Sequence, residues 1–197
     1  MKTKIIFPLF FAVITLAASG FAQTSPSKTY NGEKTGIANF GQMDARFFRG
    51  ERPDKKALAK LKSIGIDTII DLTDNTPGEK AMVEAAGMRY VNIPVVDKKI
   101  PTDAAIAKFL AVLKDPATGK FYLHCAGGRH RTGDMGAIYR AEEGWTYEKA
   151  MHEMENYDFY TSNGHQAQKD FVIEYFKKAA ERPVDVIGVK TVSGSQK

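Results

Sequence analysis

The chain has 197 residues, 43% apolar and 26% charged, with a formal net charge of +5. That profile fits one globular domain able to bury a full core without disulfides or structural metal. Its single cysteine excludes an intramolecular disulfide, a CxxC redox pair and a cysteine-ligated zinc site, and the mild basic excess shows no stripe of cations interleaved with aromatics, so no nucleic-acid partner is expected.

Residues 1–22 read as a signal peptide. Lys2 and Lys4 precede an apolar run from Ile5 to Ala18, followed by small residues that place Gly20 at −3 and Ala22 at −1 of a cleavage site. The run is about 14 residues, too short to span a ~30 Å hydrocarbon layer comfortably. Cleavage near Ala22 and a periplasmic or secreted product are therefore expected, with no stable membrane insertion afterwards. Residues 23–38, rich in Ser, Thr, Lys and Gly, read as a flexible leader, 39–182 as the domain and 183–197 as a polar C-terminal tail.

Within the domain, Ala45 to Arg49 predicts a short strand, and Asp54 caps a helix presenting Ala57, Leu58 and Leu61. The β-branched run 67–72 predicts a buried strand, 79–86 a helix and 88–93 another strand. A loop from Pro94 leads to Thr102, which caps a helix with Ile106, Phe109, Leu110 and Leu113 at 3–4 spacing. Phe121-Tyr122-Leu123 is a short apolar strand. Helices follow near 131–143, 147–156 and 165–180, the last ended by Arg182-Pro183. This alternation predicts an α/β fold, with a central, mostly parallel sheet of about four to five strands flanked by helices.

The chemistry gathers after the 121–123 strand, in His124-Cys125-Ala126-Gly127-Gly128-Arg129-His130-Arg131-Thr132-Gly133. A glycine-containing loop between strand and helix offers successive N–H groups and a helix N-terminus to an anion. A thiol facing that field and a guanidinium has its pKa lowered below the free ~8.5. The resulting thiolate can attack phosphorus and form a thiophosphate intermediate. The planar fork of Arg131 can hold two phosphoryl oxygens, and the Thr132 hydroxyl can ease departure of the sulfur.

This segment resembles the loop of the cysteine-dependent phosphatase superfamily: His-Cys, five residues, Arg, then Ser or Thr. Arg46-Phe47-Phe48-Arg49-Gly50-Glu51-Arg52-Pro53 and the strand after it look like the start of compact dual-specificity-type domains. The loop is similar to that of the plant and fungal atypical branch, with Arg129-His130 where that branch has Lys-His. The resemblance covers roughly 39–160. It implies a metal-free and cofactor-free phosphatase with Cys125 as nucleophile, and substrates that are phosphoproteins or, in the atypical branch, inositol polyphosphates and pyrophosphates.

The leaving group needs a proton, and a positioned acid contributes ~10²–10⁴ in rate. The resemblance places this acid on a loop upstream of the cysteine, where Asp97 is the one carboxylate of 93–101. Asp74 and Asp134 are rivals, and Asp103 serves the first turn of its own helix. The resemblance also gives His124 a supporting role behind the sulfur, although a buried structural histidine fits equally. Ala126, Gly127, Gly128, Arg129, His130 and Lys98 are read as substrate-binding. Arg129 and His130 are expected to face outward, joined at the rim by Lys98 and Lys99. Met151, Met154, Tyr157, Phe159 and Tyr160 read as core packing and Trp145 as a packing anchor. A monomer is expected. A phosphate-binding pseudoenzyme and a rhodanese-type sulfur transferase are the competing functions.

Overall fold

The computed structural model of the chain describes residues 28–29, 35–74 and 76–181; the expected signal peptide and the tail from 183 lie outside the described residues. Six strands form one sheet in the order β1-β2-β3-β6-β4-β5. They are β1 (Lys28–Thr29), β2 (Gly41–Gln42), β3 (Phe47–Gly50), β4 (Thr68–Asp71), β5 (Arg89–Asn92) and β6 (Phe121–His124). β3, β6, β4 and β5 run parallel, whereas β1 and β2 add an antiparallel edge. The expected parallel sheet is there, extended by these two short strands.

Strand alternation sorts the apolar residues onto two faces. Phe47, Ile70, Phe121 and Leu123 meet Phe109 of helix α3 (Asp103–Lys114) and Met135 and Ile138 of α4 (His130–Glu142). Phe48, Ile69 and Tyr122 meet Leu58 and Leu61 of α1 (Lys55–Ser63) and Val83 of α2 (Glu79–Ala85). Helices α5 (Tyr147–Glu155) and α6 (Gln166–Glu181) pack on α4 through Met154, Val172 and Phe176. Ten of the 13 residues of α4 are buried, so the helix that leaves the cysteine loop is enclosed on nearly every side.

Caps set the helix starts. Asp54 accepts from Ala57 N at 2.7 Å, and Thr102 from Ala105 N at 3.2 Å, each satisfying an N–H that the helix cannot. Thr146 does the same for α5. The start of the strand predicted from Ala45 differs: Asp44 Oδ1 accepts from Arg46 N and Phe47 N at 2.7 and 2.8 Å. That turn delays β3 to Phe47 and leaves Ala45 outside it.

The leader is corrected on two points. Lys28–Thr29 pairs with Gly41–Gln42, and Ile37 is only 1% exposed within the α1–α2 core. Glu51 N also donates to Ala38 O at 2.9 Å. A polar, glycine-containing composition conceals one isoleucine that closes the core, so the folded unit begins before residue 39.

Candidate active site

Parallel register brings the site together. Both Gly50 and Asp71 stand opposite His124 across β6, so the ends of β3 and β4 flank the loop that follows. That loop, 125–129, joins β6 to the N-terminus of α4. Three of its carbonyls are tied to the surrounding fold: Ala126 O by Arg52 N at 3.2 Å, Gly127 O by Asn39 Nδ2 at 2.9 Å and Gly128 O by Arg49 Nη2 at 2.6 Å. With those acceptors taken, the N–H groups are what the loop retains for an anion. Gly128 has φ +67°, and a Cβ there would lie 2.3 Å from Gly50 C and 2.5 Å from Gly50 O. Only glycine lets the loop pass this close to β3.

Cys125 sits in the loop at 4% exposure. Arg131, in the first turn of α4, is almost as buried and reaches back across the mouth. Its Nη1 donates to Val95 O at 3.1 Å, while Nη2 lies 3.5 Å from Asp97 Oδ1 and Nη1 lies 3.7 Å from Asp74 Oδ1. The Asp97 loop is pinned to the sheet by Val95 N donating to Leu72 O at 3.0 Å. Arg131 thus links the Asp97 loop and Asp74 to the first turn of the helix that follows the Cys125 loop. Asp134 does not join them. It is fully buried, accepts from Gln168 Nε2 at 2.6 Å, and burial pushes its carboxyl well up. The Thr132 hydroxyl is buried without a hydrogen-bond partner.

The rim differs from expectation. His130 is buried, not outward: its ring stacks on His165 with centroids 3.4 Å apart, and Nε2 lies 3.1 Å from Tyr160 O. Burial, then the neighbouring His165, pulls its pKa down to about 4, so it brings no cation to the mouth at neutral pH. The partner lies 35 positions away in sequence, which no local pattern could reveal. Tyr160 is likewise 40% exposed, with its ring edge-on to His130, whereas Met151, Met154, Tyr157 and Phe159 are buried. Arg129 faces outward, with Nε 3.7 Å from Asp158 Oδ2. Lys98 and Lys99 are exposed, and Lys98 lies beside Gly164. Trp145 carries the Arg140 guanidinium 4.0 Å over its ring.

Several supporting residues escaped the sequence reading. Arg49 is wholly buried beneath the loop, 4.1 Å over the Tyr157 ring; burial lowers its pKa against opposing pulls from Tyr157, Glu153 and Cys125. The signal was present, since an arginine inside an apolar strand ending in glycine is anomalous. Glu79 is the other residue missed: it is wholly buried, with Oε1 2.8 Å from Nε2 of His124, which the sequence did mark as supporting.

A cysteine at the foot of a glycine loop, with an arginine six residues on, set between a parallel strand and a buried helix, defines a domain of the dual-specificity phosphatase type. The chain belongs to the family described as DSP-PTPase phosphatase fused to NAD+ kinase, whose model matches residues 17–174. The inositol diphosphatase DSP4 of Arabidopsis thaliana is 25% identical over 125 residues, 60% of this chain and 63% of that protein. The chain spans between 38% and 77% of the length of the curated relatives it matches.

Solved structures share the fold. The core catalytic domain of the PP-IP phosphatase SIW14 of S. cerevisiae superposes with TM-score 0.63 at 18% identity, covering 74% of this chain and 92% of that one. TpbA of P. aeruginosa gives TM-score 0.61 at 21% identity, covering 80% and 98%.

Proposed function

We propose that the protein is an exported, monomeric cysteine phosphatase that hydrolyses phosphate monoesters of phosphoproteins through a phosphocysteine intermediate. The reading is supported by Cys125 standing between β6 and α4 in a loop whose carbonyls at 126, 127 and 128 are hydrogen-bonded to Arg52, Asn39 and Arg49, and by Arg131 of the same helix lying 3.5 Å from Asp97. The Cys125 thiolate attacks phosphorus and the ester P–O bond breaks. Asp97 gives its proton to the departing oxygen, which otherwise leaves badly. Water then attacks phosphorus, the S–P bond breaks and Asp97 takes a proton back. The Thr132 hydroxyl meets the departing thiolate, and Arg131 holds two phosphoryl oxygens throughout.

The rim supports substrates with a single phosphate over those with several. Arg129 is shared with Asp158, His130 is neutral, and Arg52 lies 3.4 Å from the buried Glu79. The second reading, an inositol polyphosphate or pyrophosphate substrate for the same chemistry, is favoured by the likeness to DSP4 and SIW14. Export rests on the pattern of residues 1–22 and predicts an N-terminus at Gln23 in protein recovered from the periplasm or medium.

The test is phosphate release from an aryl phosphate, a phosphotyrosyl peptide and inositol hexakisphosphate, in chelator, by residues 23–197. Turnover of the first two, abolished in Cys125→Ser, is the expected result. Turnover retained in Cys125→Ser overturns the nucleophile. Preference for inositol hexakisphosphate moves the substrate to the second reading.

A further inference from the structure

A groove of about 840 Å³ lies among three helices and shares no residue with the cysteine loop. Leu110 of α3, Trp145 and Tyr147 at the junction of α4 and α5, and Ile173, Phe176 and Ala180 of α6 line it. Neither Asp97 nor Arg131 reaches it, so the reaction as written makes no use of this surface. Concave apolar walls of this kind favour an apolar cover over water.

The path of the chain points to what covers it. Helix α6 forms one wall and ends at Glu181, one residue past Ala180, so the chain leaves its last described helix at the edge of the groove. Arg182-Pro183 follows, and proline both lacks an N–H and drives the residue before it out of the helical region. The tail beyond is polar at its end, but five of the nine residues from Val184 to Val192 are Val or Ile. A β-branched stretch left in solvent is prone to pair with other chains. The groove needs an apolar cover and the stretch an apolar bed, and the two are neighbours along the chain.

The dimensions agree. Ile173 to Ala180 spans ~10 Å along α6 at ~1.5 Å per residue, and Val184 to Ile187 covers ~10 Å when extended at ~3.3 Å per residue. A groove can hold both sides of an extended chain, which suits Val186 and Ile187, adjacent and pointing to opposite faces. The short tether of Arg182 and Pro183 keeps the stretch at an effective concentration in the millimolar range, far above that of a second copy in dilute solution.

We propose that the segment Val184–Val192 turns back along α6 and lays Val186 and Ile187 into this groove against Trp145 and Phe176. The chain's own tail is then the occupant, and the proposal stands apart from the phosphatase reading.

Trp145 is the one tryptophan of the chain, so its emission reports the groove directly. In residues 23–197, Val186→Asp combined with Ile187→Asp is expected to move that emission to longer wavelength and to raise acrylamide quenching about twofold, as the groove opens to solvent. Ala180→Glu, which alters the wall and leaves the tail alone, should do the same. Unchanged emission and quenching in the doubly substituted chain overturn the proposal. A response to the tail substitutions but not to Ala180→Glu overturns it as well, because the tail then acts elsewhere. Emission that varies with protein concentration in the unaltered chain overturns it in favour of a second copy. Should Ala180→Glu not fold, NMR of the unaltered chain decides: contacts between the Trp145 ring and the methyl groups of residues 184–187 support the proposal, and their absence overturns it. None of these measurements involves turnover, so the phosphatase reading and this one fail separately.

Discussion

The floor and the mouth of the loop are held by different physics. On the floor, Arg49 bonds Gly128 O at 2.6 Å and His124 meets Glu79 at 2.8 Å, with all of these side chains buried. Such contacts act in low dielectric and fix geometry before any ligand arrives. At the mouth, Arg131 stands 3.5 and 3.7 Å from Asp97 and Asp74, whose side chains are 63% and 50% exposed. Exposed pairs at that range are weak and screened by salt. The loop is therefore preorganised, while the end where Asp97 is proposed to protonate a leaving group can adjust.

The sharpest way to break the floor is Gly128→Ala. The new Cβ would overlap the Gly50 backbone, and φ +67° adds strain for any side chain. A loss of about 4 kcal/mol in stability is expected, measured by urea unfolding; a loss below 1 kcal/mol would show that β3 and the loop are not in close contact. At the mouth, Asp97→Asn is expected to slow poor leaving groups about a hundredfold and activated aryl phosphates far less. Asp74→Asn is the control at nearly the same distance from Arg131. If Asp74→Asn instead shows that leaving-group dependence, the acid is Asp74.

Sequence legibility follows the same divide. The α/β alternation, the helix caps at Asp54 and Thr102 and the loop from Cys125 to Arg131 are local, written in periodicity and spacing over a few residues. Arg49 and Asn39 reach the loop, and Glu79 reaches His124 just before it, across 45 to 88 positions, and the parallel register of β3, β4 and β6 sets these approaches. Asp74 is a candidate from the sequence, three residues past the end of β4, but its approach to Arg131 is visible only in the fold. His130 was misplaced for the same reason: a histidine between two arginines reads as rim, and nothing near it announces His165.

That histidine gives the next test. Its folded pKa lies near 4 against 6.5 for the free ring. An unfolded chain takes up a proton below about pH 6.5 that the folded ring refuses until about pH 4. The stability of the neutral stack is thus fully present above pH 6.5 and lost as pH falls towards 4. The expected contribution is on the order of 1–2 kcal/mol once solvent screening is allowed for. Urea midpoints at pH 7 and pH 5 should converge in His130→Asn relative to the unaltered protein; an equal pH dependence in both would place the acid sensitivity elsewhere.

The smallest effect belongs to the outermost contact, and its smallness is informative. Arg129 and Asp158 are 43% and 63% exposed at 3.7 Å, so Arg129→Ala should change stability by no more than about 0.5 kcal/mol. On a phosphotyrosyl peptide it should also leave KM within about twofold, because a single phosphate is already held by the loop and Arg131. A substrate with several phosphates would feel the change differently. If the mouth serves such a substrate, Arg129→Ala should raise KM for inositol hexakisphosphate about tenfold, and Asp158→Ala, which frees the guanidinium, should lower it. Opposite shifts in the two variants, confined to the polyphosphate, would turn the rim from a solvated edge into a recognition surface; parallel or absent shifts keep recognition on the floor, with the monoester.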